Sequence, residues 1–220
     1  MSSIVKENLI LNFETKKDQG SFWSDTSGQQ NKGVFVGSPT YCPENKGSYS
    51  FNGNGQYVRL PQDFIDVTKS FSSVFVFKTK TPGIIFGQTA IPDFDAATGY
   101  VPALYVDTNG KLRTSFFWNE SVAPATSEIS VNDDKIHVVI VVVEDNIQKT
   151  YLDGALIGSI EMKQNPYSNK YFYYVGGGKV VNWEFAPPTN FFFGNIYNVA
   201  FYDKALTKEE VAKNYKALKR

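Results

Sequence analysis

The chain has 220 residues in which 22 Lys and Arg balance 22 Asp and Glu, so it lacks the basic surplus that draws a protein to nucleic acid. A single cysteine, Cys42, and a single histidine, His137, exclude an internal disulfide, a Cys/His zinc cluster and a dithiol redox pair. No apolar run approaches the ~20 residues of a membrane span, and residues 1–20 lack the basic-then-apolar layout of a secretory signal, so no membrane insertion is expected.

In chain order, apolar and β-branched runs predict short strands over residues 4–13, 34–36, 49–51, 57–60, 71–78, 84–86, 103–106, 111–117, 136–143, 148–152, 155–160, 171–175 and 191–202. Turn chemistry separates them. Asn109-Gly110 and Asp153-Gly154 tolerate the positive φ of tight hairpins, and Gly37-Ser38-Pro39, Gly53-Asn54-Gly55 and Gly176-Gly177-Gly178 punctuate the rest. The run from Val138 to Val143 has no polar alternation, so both of its faces are expected to be covered. One helix ends the chain. Thr207 with Glu210 reads as a capping box, Leu206 staples onto Val211, and Val211, Tyr215 and Leu218 form a buried stripe. No Gly/Ser or Pro-rich linker and no internal repeat divides the sequence, which predicts one domain over residues 1–220. The fold class expected is all-β, a sandwich of antiparallel sheets.

Several segments resemble a known family. Asp25-Thr26-Ser27-Gly28 followed by Asn31 and Gly33, then Ser50-Phe51-Asn52-Gly53 with Gln56-Tyr57-Val58-Arg59-Leu60-Pro61, resemble the opening of concanavalin A-like, laminin G-like jelly-roll domains. Tyr151-Leu152-Asp153-Gly154 is similar to their middle hairpin. Gly194-Asn195-Ile196-Tyr197-Asn198-Val199 with Tyr202-Asp203-Lys204-Ala205-Leu206-Thr207 and Glu210-Val211 is similar to their closing strand and helix. The resemblance implies a jelly-roll β-sandwich of two sheets of six or seven strands with a short C-terminal helix. It also implies a family that binds glycans or protein partners outside cells, frequently appended to enzymes or adhesins. One departure stands out: many members carry an acidic residue where this chain has Tyr197.

Aromatic content, 3 Trp, 13 Tyr and 18 Phe, exceeds what a few core anchors require and leaves rings for wet, reversible contact with sugars or proteins. A sugar site needs a ring that stacks on a C–H face, flanked by groups that hydrogen-bond hydroxyls. Residues 98–119 supply Tyr100, Asp107, Arg113, Trp118 and Asn119 around one hairpin, and Asn182, Trp183 and Glu184 supply an opposite wall. Strand alternation assigns Tyr105 and Phe116 to packing. The longest loops, 88–101 and 179–190, are where recognition is expected. Asp25, Ser27 and Asn31 form a candidate calcium loop, for which Asx turns at Asp25 and Asn31 are the alternative, and Asp93 with Asp95 form a weaker candidate.

Carboxylate-pair hydrolysis needs two acids about 5 to 10 Å apart across the scissile bond. No predicted strand supplies acids at alternating positions, and His137 opens a core strand. The chain is therefore read as a non-catalytic, lectin-like module for adhesion or receptor recognition. Its partner is a glycan or glycoprotein, and its setting is extracellular, cell-surface or virion-associated, as an oligomer or part of a multidomain protein. The alternative is a protein-interaction or structural domain of a larger assembly; a glycoside hydrolase-like enzyme ranks third.

Overall fold

The computed structural model describes residues 3–16, 21–62, 64–116, 122–161 and 171–220. Within them run strands β1 (Leu9–Glu14), β2 (Phe22–Ser24), β3 (Lys32–Val36), β4 (Thr40–Cys42), β5 (Ser48–Asn52), β6 (Tyr57–Arg59), β7 (Phe71–Thr79), β8 (Gly83–Thr89), β9 (Tyr100–Val106), β10 (Lys111–Thr114), β11 (Ala125–Ser130), β12 (His137–Glu144), β13 (Ile147–Leu152), β14 (Ala155–Glu161), β15 (Phe172–Val175) and β16 (Phe193–Tyr202). Helix α1 (Lys208–Leu218) closes the chain. The strands form two antiparallel sheets of eight, the jelly-roll sandwich that the sequence predicts. The first sheet orders β14-β13-β12-β7-β16-β5-β4 with β1 also on β16, and the second orders β11-β10-β9-β8-β15-β6-β3-β2.

Eight strands per sheet exceed the six or seven expected because β2 and β4 are only three residues long and β11 (ATSEIS) is largely polar. Residues 4–8, in contrast, are not strand. There the Val5 amide donates to Asn214 Oδ1 on α1 (2.8 Å), and the Val5 carbonyl accepts from the Tyr202 hydroxyl (3.1 Å). A helix side chain thus satisfies backbone groups that a ladder would otherwise take.

Both faces of β12 are covered, as its unbroken β-branched run requires. Val139, Val141 and Val143 join the inter-sheet core with Phe75, Phe86, Phe116 and Phe201. Val138, Ile140 and Val142 point the other way, into a second core with Ile4, Val5, Val211 and Leu218. The outer cover is therefore α1 and the N-terminal segment. The capping box at Thr207 and Glu210 starts that helix, and the Leu206–Val211 staple lies within the second core.

His137 is buried at the head of β12, but packing is not its whole role. Its Nδ1 lies 2.7 Å from Asp153 Oδ2 and its Nε2 3.0 Å from Asp133 Oδ1. The ring thereby ties the Asp153 hairpin to the loop before its own strand.

Candidate functional site

Sheet register decides which side chains reach the open side of the second sheet. Phe35, Val58, Val175 and Phe86 align across β3, β6, β15 and β8 and face the inter-sheet core. Their strand neighbours Val34, Arg59, Tyr174 and Gly87 therefore align on the outer face. That face has a covered half and an open half.

The segment after the triple glycine covers the β8–β10 half. A Cβ on Gly87 would lie 2.7 Å from both the Gly177 carbonyl oxygen and Gly178 Cα, so only a glycine lets the backbones cross here. Beyond the crossing, Val180 packs with Ile84 and Tyr105, and Trp183 and Ala186 pack against them. The Tyr105 hydroxyl donates to the Glu184 carbonyl (2.8 Å), and the Thr108 amide to that of Phe185 (3.0 Å). Residues 179–186 thus lie strapped along β9.

This strap corrects the expectation that Asp107 and Arg113 meet a ligand. Asp107 is 0% exposed; its carboxylate accepts from the Asn109 and Lys111 amides and from Arg113 Nε at 2.6 Å. Arg113 also donates from Nη1 to Glu184 Oε2 (2.6 Å), under the Phe185 ring at 4.8 Å. Burial opposes the guanidinium charge, but the Asp107 hydrogen bond and the nearby anionic groups outweigh it and raise the Arg113 pKa. The pair fastens the strap. The sequence reading grouped both residues around one hairpin, but a segment distant in sequence covers them.

Tyr100, Asn182 and Trp183 are brought together on the strap's rim. Tyr100 donates to the Val181 carbonyl (2.8 Å), Asn182 is exposed, and Trp183 is half-buried. Trp118 and Asn119 lie outside the described residues. The two long loops are joined: Lys179 Nζ donates to the Asp95 and Ala97 carbonyls, and Asn190 Nδ2 to Asp95 Oδ1 (2.9 Å).

The open half, over β6, β3 and β2, went unnoticed as a site in the sequence. Tyr57 and Arg59 alternate with buried Val58 and Leu60, a two-residue period that places them outward. Lys32, Val34 and Val36 line the next strand, and Phe22 the one beyond. Val34 is 37% exposed and Phe22 39%. The half-buried Tyr57 ring is braced edge-on by Phe94 (5.2 Å) and Tyr174 (5.7 Å) and lies nearly parallel to Phe191 (6.3 Å). Tyr174 is locked in turn by donating to the Pro92 carbonyl (2.8 Å). Burial raises the Tyr57 pKa; Arg59 opposes the shift, and Asp93 and Asp95 add to it. The phenol therefore stays neutral and able to donate. Arg59 is exposed and makes no ion pair among the described residues.

Hydrogen bonds engage carboxylate oxygens in both calcium candidates. Asp25 accepts from the amides of Asn12, Ser27 and Asn31 and from the Ser27 hydroxyl, and these bonds hold its loop. Asp93 Oδ1 accepts from the Asp95 and Ala96 amides, an Asx turn. Among the described residues no three His, Cys, Asp or Glu side chains converge as metal ligands.

A family model described as the concanavalin A-like lectin/glucanases superfamily, of laminin G type, matches residues 52–212. The chain belongs to this superfamily. Solved structures share its fold at low sequence identity. A Trypanosoma rangeli sialidase in complex with sialic acid superposes with a TM-score of 0.69 at 17% identity, over 94% of this chain and 32% of that one. Domain 4 of AbnA, a GH43 extracellular arabinanase from Geobacillus stearothermophilus, in complex with arabinotriose, gives 0.64 at 18% identity over 94% of this chain and 98% of that one. The binding domain of botulinum neurotoxin serotype D/C gives 0.65 at 16% identity, over 97% and 53%. The chain thus spans about a third of the sialidase's length. A search of curated proteins finds no match. This superfamily member has no helix, among its described residues, long and apolar enough to cross a membrane.

Proposed function

We propose that the chain is a non-catalytic carbohydrate-binding module whose site is the open half of the second sheet's outer face. The observation that carries this reading is Tyr57: a half-exposed ring, fixed by three aromatic neighbours, beside an exposed Arg59. A braced ring loses little entropy when a sugar stacks on it, and flanking polar groups reach the hydroxyls. Tyr100, Asn182 and Trp183 on the strap form one rim. The arabinotriose complex of a domain covered almost end to end supports a saccharide ligand. The non-catalytic part rests on the outward residues of β3, β6 and β15, where Lys32, Val34, Val36, Tyr57, Arg59 and Tyr174 include no carboxylate, and on the engagement of the neighbouring Asp93 and Asp95 in hydrogen bonds of their own loops.

The face is shallow, so single sites bind weakly and several copies act together by avidity. An extracellular, cell-surface or virion-associated setting fits such a module. A glycan array with the wild type and Tyr57→Ala tests the reading. A defined sugar signal is expected, and removing the ring weakens it by about tenfold, the upper range for one aromatic contact. The second reading, a protein-interaction domain, draws on exposed Ile91, Val181 and Phe185 around the same face. Silence across all glycans together with concentration-dependent oligomers would favour it.

A further inference from the structure

Charge is unevenly laid along the open half, and the unevenness says which saccharide fits. Tyr57 opposes Val36, Arg59 opposes Val34, and Lys32 lies two residues beyond Val34 on the same face. At about 3.4 Å per residue, these positions span roughly 14 Å, enough for a short oligosaccharide. Asp93 and Asp95 act electrostatically on Tyr57, at one end. Both are held in their own loop, Asp93 by its Asx turn and Asp95 by Asn190. The middle and far end carry Arg59 and Lys32. Lys32 Nζ sits 4.9 Å over the Phe22 ring, and it too makes no ion pair among the described residues. Arg113, on the same sheet face, shows the contrast: where a guanidinium belongs to the fold, two carboxylates meet it.

Resting on the carbohydrate-binding reading, we infer that the ligand is an anionic saccharide whose carboxylate or sulfate lies over Arg59, with Lys32 beside it and the neutral hydroxyls toward Asp93. A guanidinium presents a planar fork that matches an oxyanion with two parallel hydrogen bonds. The adjacent Tyr57 ring takes the apolar face of the same or the neighbouring sugar. The acidic end sets polarity, because an anionic unit placed there meets like charge.

The test is an array of uronate-containing oligosaccharides and sulfated oligosaccharides, each printed beside its neutral parent, probed with wild type, Arg59→Gln, Arg59→Lys and Tyr57→Ala. The wild type is expected to prefer at least one anionic glycan over its parent by tenfold or more, and the preference should fall as salt rises. Whether the uronate or the sulfate arm responds identifies the anion. Arg59→Gln should lose the preference with an unchanged melting temperature, and Arg59→Lys should keep part of it. Binding to neutral glycans with no anionic preference, or a preference that survives Arg59→Gln, overturns this inference and leaves the carbohydrate reading standing. Silence from every glycan overturns both.

Discussion

Both ring nitrogens of His137 face carboxylates, and an ionised carboxylate only accepts, so the arrangement favours the doubly protonated ring, an imidazolium. Burial works against that charge, but the Asp153 and Asp133 hydrogen bonds prevail and raise the pKa above the usual 6.5. On the other side of the pair, burial likewise opposes the charge at Asp133, while bonds from His137 and Lys135 hold its carboxyl down at about 2. The imidazolium's stabilisation is complete below pH 6.5 and fades as pH climbs through the raised value. Asp133 contributes above its usual 3.8 and loses its share only as pH falls toward about 2. Thermal melts across neutral pH should therefore show the wild type losing stability on the alkaline side. His137→Gln should flatten that slope, and an identical slope in the variant would dismiss the imidazolium. None of this was legible beforehand: Asp133 and Asp153 are four and sixteen residues from the ring, and only the fold brings both carboxylates against it.

Strands were readable where their pattern was strong. The β7, β12 and β13 runs were expected within about two residues of their observed ends, because β-branched and aromatic residues bounded by turn formers have few other uses. Three-residue β2 and β4 escaped because so short a run holds barely one period of alternation. The strap over β9 is the element that mattered most and showed least. Its glycines were visible as turn residues, but the need for glycine at position 87, on a strand ninety residues earlier in the chain, comes from the crossing itself. Gly87→Ala is expected to lift the strap and cost about 1 to 3 kcal/mol, the usual range for overpacking, in urea denaturation. An unchanged midpoint would mean that the crossing has more slack than its 2.7 Å separations allow.

At the scale of the molecule, inward side chains from both sheets form one aromatic-rich cluster, with Phe86 tilted against Phe75 at 5.2 Å and Phe201 at 5.4 Å. If that shared core makes residues 1–220 fold as one unit, near- and far-ultraviolet circular dichroism should report a single coincident unfolding transition. Two separated transitions would refute the single-domain expectation. The amino-acid sequence alone determined the all-β class, the hairpins at Asn109-Gly110 and Asp153-Gly154, the capped closing helix and the two-sided burial of β12. All of these follow from periodicity and turn chemistry acting within a few residues. Only the tertiary structure decided which outward side chains are free. Asp107 and Arg113 obey the same alternation as Tyr57 and Arg59, but one pair lies under the strap and the other does not. Alternation fixes the side of a sheet a residue faces, whereas accessibility depends on which distant segment packs over that side.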